Sequence, residues 1–135
     1  MAIVKQSARQ HVESALLTIA FGDPALYGTA ENAIELPPGA EVVGGEIVVD
    51  TAFNSTTNTL TLGDVTTAAR YANAVDLKTA ARTALTLTGF LTTTTERFIQ
   101  ANLAYTGAAP TAGSVRIRVD YVVAGRALMA WGTGR

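Results

Sequence analysis

The sequence predicts an all-β chain, an antiparallel β-sandwich or jelly roll with short flanking arms. Three observations predict it. Threonine fills 20 of the 135 positions, and it suits a pleated, half-buried surface while fitting poorly inside a helix. Short runs of period-two alternation recur, each closed by Gly, Pro, Asn or Asp. No stretch shows a convincing long helical pattern, and no period of 20 to 50 residues marks a solenoid or propeller. The expected domain spans residues 11–125, between an N-terminal arm at 1–10 and a C-terminal tail at 126–135.

"RQHVESALLTIAF" (9–21) sets His11, Glu13, Ala15, Leu17, Ile19 and Phe21 on one parity. It reads as a strand, although "SALLTIAF" would serve equally as one face of a short helix. "GDPALYG" (22–28) breaks any regular element. "NAIELPPGAEVVGGEIVVDTAF" (32–53) reads as a short strand, a Pro-Pro-Gly turn and a longer strand, with Gly44-Gly45 marking a bulge or a sharp bend. "FNSTTNTLTLGD" then turns and alternates, placing Leu60 and Leu62 inward and Thr59, Thr61 and Gly63 outward. "RTALTLTGFL" (82–91) alternates again, and a further strand is expected near 97–105. In "SVRIRVDYVV" (114–123), Val115, Ile117, Val119 and Tyr121 face one way and Arg116, Arg118 and Asp120 the other.

One domain of this length buries roughly 65–70% of its unfolded surface, so it needs neither disulfide nor metal to fold. There is no cysteine. The N-terminus lacks the apolar core of a signal peptide, and no apolar run approaches the roughly 20 residues of a membrane helix. A soluble product made in a cytoplasm is expected. Residues 1–67 carry two bases and eight acids (2 − 8 = −6), and residues 68–135 carry eight bases and three acids (8 − 3 = +5). Either the halves interleave and neutralise each other, or opposite faces attract neighbouring subunits. The bases are dispersed without aromatic partners, which speaks against nucleic acid.

Catalytic chemistry has little to draw on. The single histidine, His11, and Ser7, Ser14, Ser55 and Ser114 lie in no nucleophile-elbow context. One histidine without cysteine cannot make a zinc site. Glu35, Glu41, Glu46 and Asp50 could pair as glycosidase carboxylates, but aromatic residues for a sugar cleft are scarce. No enzyme activity, cofactor or metal is expected.

Charged groups gather in "GDVTTAARYANAVDLKTAAR" (63–82). The ligand spacing of an EF-hand is missing. Aspartates in turns usually bond their own backbone, and a base opposite ties the loop. Asp64, Arg70, Asp76, Lys78 and Arg82 are therefore expected to form a structural loop tie. Lys5, Arg9, Arg126, Trp131 and Arg135, in the flanking arms, are candidate partner contacts.

Three stretches resemble a family: "AIELPPGAEVVGGEIVVDTAFNSTTNTLTLGD", "RYANAVDLKTAARTAL" and "GAAPTAGSVRIRVDYVVAGRA". They carry a Leu-Pro-x-Gly-Ala turn, "TAFNS", "LxxGD", "RY" with a following Asp, and a closing "TAGxxxxxVxYVVxGR". The pattern covers about residues 10–127 and is similar to the head decoration, or cement, proteins of tailed bacteriophages. The resemblance implies a jelly-roll-like virion protein on the capsid exterior, made in the host bacterial cytoplasm. It further implies a homotrimer that binds across junctions between major capsid protein subunits, with no nucleic acid or membrane partner. A virion-displayed carbohydrate- or receptor-binding β-sandwich and a tail or baseplate component are the alternatives.

Overall fold

The computed structural model describes residues 11–123 of the chain. Eight strands follow one another: β1 (Glu13–Ala20), β2 (Glu31–Glu35), β3 (Ala40–Thr51), β4 (Thr57–Gly63), β5 (Ala72–Asp76), β6 (Arg82–Ala84), β7 (Phe98–Thr106) and β8 (Ser114–Val123). They form two antiparallel sheets, ordered β1-β8-β3-β6 and β2-β7-β4-β5. First pairs with last, second with seventh, third with sixth and fourth with fifth. Such nested pairing is a long hairpin rolled up on itself, the jelly-roll order. Within the 9–21 segment, Glu13–Ala20 is thus a strand, in unbroken register with β8.

Alternation decides which side chains meet between the sheets. Val115, Ile117 and Val119 of β8 are completely buried, against Ile47 and Val49 of β3 and Leu60, Leu62, Ile99 and Leu103 of the facing sheet. β3 changes register between Val42 and Gly44. A side chain at Gly45 would overlap the Arg118 carbonyl, and φ there is 140°, so the bulge needs glycine. Without it Ile47 and Val49 could not share the inner face with Val42.

The structure departs from expectation in three places. Gly63 is buried, because the loop after β4 folds back and sets the Ala68 carbonyl where a side chain would stand. The 63–82 stretch contains β5, an alanine-rich edge strand whose exposed pattern gave no alternation to read. The 82–91 run pairs as a strand only over Arg82–Ala84; Leu85 then turns into the core while Leu87 is half exposed.

Candidate functional site

The five charged residues expected in one tie fall into three separate places. Asp64 closes the loop after β4, with no side-chain exposure. Its Oδ1 accepts the amides of Thr66 at 3.0 Å and Thr67 at 2.7 Å, and its Oδ2 accepts Nε of Arg70. Arg70 also donates to the Thr67 hydroxyl at 3.1 Å, and its guanidinium lies 3.5 Å from the centre of the Phe90 ring. Glu96 stands 4.0 Å beyond. Hydrogen bonds from the Thr66 and Thr93 hydroxyls, followed by Arg70, hold the Glu96 carboxyl below its ordinary range. Tyr71 runs into the core, its hydroxyl buried with no partner among the described residues. Burial, then Asp64, pushes that phenol up.

Among the described residues Asp76 accepts its own turn's amide, from Lys78 at 2.9 Å. Lys78 reaches Ser55 and donates to its carbonyl. Arg82, at the start of β6, pairs with Glu46 of the neighbouring β3 on the outer face of the β1-β8-β3-β6 sheet. There it joins a lattice: Arg118 lies 3.6 Å from Glu46 and 3.4 Å from Asp120, Ser14 donates to Asp120 at 2.6 Å, and Arg116 meets Asp50 at 3.1 Å. The hydrogen bond from Arg82 lowers the Glu46 carboxyl's pKa most, against partial burial. In four of these ties, Asp64–Arg70, Glu46–Arg82, Glu46–Arg118 and Asp50–Arg116, an acid from the first half meets a base from the second. Glu35–Arg97 repeats this at 2.9 Å. The halves interleave, and the charge split does not become two opposed faces.

The recurring motifs also turn out to be ties. Asn54 of "TAFNS" bonds Thr111 of "TAG" through both its amide nitrogen (2.8 Å) and oxygen (2.9 Å). Ser55 donates to the Ala108 carbonyl at 2.7 Å. A side chain on Gly113, at φ 140°, would enter the Phe53 ring. These residues tie the loops together. Sequence reasoning missed this pairing, because the partners lie almost 60 positions apart and each looks like an ordinary turn.

What the body offers a partner is surface. The outer face of β1-β8-β3-β6 carries the ion-pair lattice. The outer face of β7 and β4 presents Gln100, Asn102, Ala104 and Thr106 beside Thr57, Thr59 and Thr61, broad and uncharged. At one end a groove is lined by Leu26, Tyr27, Ala104 and Tyr105, with the two tyrosine rings edge-on, 5.1 Å apart. His11 is exposed, and among the described residues no three His, Asp or Glu groups converge as metal ligands. Lys5, Arg9, Arg126, Trp131 and Arg135 lie outside the described residues, as do the arms that hold them.

No protein-family model matches the sequence, and no curated protein matches it. Solved structures do. A chain of the cyanophage Pam1 capsid asymmetric unit is 26% identical, with a TM-score of 0.68 over 91% of this chain and 92% of that one. A chain of the acid-stable capsid of Helicobacter pylori bacteriophage KHP30 is 18% identical, with a TM-score of 0.62 over 87% and 94%. One from the capsid of Ralstonia phage GP4 is 15% identical, with a TM-score of 0.53 over 91% and 90%. The last two share the fold alone. Over nine-tenths of its length, this chain is similar to a chain found in a bacteriophage capsid.

Proposed function

We propose that this protein is a structural component of a bacteriophage virion that decorates the capsid exterior, binding as a homotrimer across junctions between major capsid protein subunits. The carrying observation is the similarity to the Pam1 capsid chain over nearly the full length of both chains. Near-equal coverage means the two chains match in size, so the likeness is of one whole jelly roll to another. The side-chain chemistry supports an associative role. Charged groups make ties within the body, and the uncharged outer face of β7 and β4 remains for contact. Packaged DNA strains capsomer seams, and a body touching several subunits adds burial across each. Several weak contacts made at once give an avidity that no single one has.

Co-sedimentation of purified protein with stripped, expanded capsids tests the reading. Binding to the assembled lattice, with none to isolated capsid subunits, is expected. Failure to bind any capsid form would sink it. The tyrosine-lined groove favours one other reading, a glycan-binding virion surface protein, since aromatic rings stack on sugars. Saturable glycan binding that Tyr105→Ala abolishes would establish that role instead.

A further inference from the structure

Among the described residues, β1 and β2 come first in the strand orders of their sheets, and they face each other across the sandwich. On that side a cavity of about 180 Å³ opens between β1 and the β2–β7 pair. Its cause is local. β2 shifts register between Asn32 and Ile34, so the extra residue is Ala33, and it lines the cavity together with Ala101 of β7. A methyl group from each leaves space that a leucine or isoleucine would fill. Leu17, Ile19 and Leu103 complete the apolar wall.

Two acids share the lining. Asp23 and Glu31 border the cavity and both reach solvent, so they stand on its open side. Backbone holds one oxygen of each: Asp23 Oδ2 accepts the Ala20 amide at 2.8 Å, and Glu31 Oε2 accepts that of Ala25 at 2.9 Å. Among the described residues neither acid meets a base. The six bases there are engaged elsewhere: Arg70, Arg82, Arg97, Arg116 and Arg118 with other acids, and Lys78 with the Ser55 carbonyl. Two negative charges at the mouth of an apolar cavity repel anions and attract a cation, and walls of low polarity strengthen that attraction. Most small-molecule pockets are larger, about 300–1,000 Å³, so the ligand is of fragment size. A cavity of about 150 Å³ admits a benzene ring, which sets the apolar part here at about six carbons.

We propose that this cavity binds an organic ammonium ion, its apolar chain of about six carbons against Leu17, Ile19 and Leu103 and its charge at Asp23 and Glu31. The chain leaves water for apolar walls, and the ammonium group donates to the remaining carboxylate oxygens. A neutral alcohol of the same length gains only the first effect, and a carboxylate of that length is repelled. Affinity therefore falls in the order hexylamine, hexanol, hexanoate. A free alkylamine and the side chain of a partner's lysine both carry this chemistry.

Backbone amide chemical shifts of the full chain, followed at neutral pH as hexylamine is added, test the site. Saturable shifts should centre on Leu17, Ile19, Ala33 and Ala101, with hexanol binding about tenfold or more weakly. The double variant Asp23→Asn, Glu31→Gln keeps an acceptor for the Ala20 and Ala25 amides while removing both charges. It should bring hexylamine down to the affinity of hexanol. Ala33→Leu fills the cavity and should abolish binding of both, with thermal melts showing the fold intact. N-acetyl-lysine methylamide separates the two sources: affinity equal to hexylamine or tighter marks a partner's lysine, and weaker binding marks a free amine. Absence of saturable hexylamine shifts would overturn the proposal. So would equal affinity for hexylamine and hexanol, or hexylamine binding that survives Ala33→Leu. None of these outcomes bears on capsid co-sedimentation.

Discussion

Asp64 and Asp76 each begin a turn that leads to a base within six residues, yet they do different work. Asp64 is walled off by Gly63, Tyr71 and the returning loop, so each of its oxygens has a fixed donor. Asp76 is exposed and holds one amide. Arg70 keeps 14% of its side-chain surface while Arg82 keeps 60%. In water an ion pair is screened and held at the expense of side-chain entropy, whereas in a buried turn its loss strands the partner. The same two residue types therefore make a keystone in one loop and a surface ornament in the other.

Breaking the buried member should matter most. Asp64→Ala is expected to lower unfolding free energy by about 3–5 kcal/mol, because Arg70 and two amides lose their acceptor. Urea denaturation measures this, and a cost under about 1 kcal/mol would make the two loops equivalent. Ile117→Ala, at the centre of the core, provides a yardstick of about 2–5 kcal/mol. Arg82→Ala should fall to about 0–1 kcal/mol and shrink further in high salt.

Titration sharpens the contrast. The Tyr71 phenol is raised in the fold, so its contribution is complete below the unfolded pKa and is lost as pH climbs through the folded one. Stability should decline above about pH 10, and Tyr71→Phe should flatten that decline. The hydroxyl has no partner among the described residues, so the same change should leave neutral stability equal or higher, as read by thermal melts at pH 7 and 10.5. Glu96 and Glu46 are lowered, so theirs is present above the unfolded value and fades in acid as pH falls through the folded value. Thr93→Ala should reduce the acid loss from Glu96. The smallest effect expected is none: EDTA should leave the melting temperature unchanged, and a drop reversed by calcium would place a cation at one of these turns.

Local chemistry was legible wherever a strand faces core on one side and solvent on the other. Period two in 114–123 gave β8 and its inward set, and the glycine pair gave the bulge in β3. β5 was hidden because its two core-facing residues, Ala72 and Val75, stand on opposite parities either side of a register shift and give no period of two. The run after Arg82 alternates convincingly, yet it leaves the sheet after Ala84, and nothing in a sequence period records the lack of a partner strand. Among the site residues, Asp64 and Arg70 are close in the chain and could be paired by eye. Arg82 and Glu46 are 36 positions apart and could not.

What residue order alone determined, then, was the all-β character, the turns, the inward face of most strands and the scarcity of catalytic groups. Each follows from interactions within a few residues: pleat, proline and glycine geometry, and hydrophobic parity. Tertiary structure decided which strands pair, which aspartate is buried, and that acids of the first half meet bases of the second within each sheet. Those outcomes depend on segments far apart in the chain arriving side by side, where burial sets the strength of every charge.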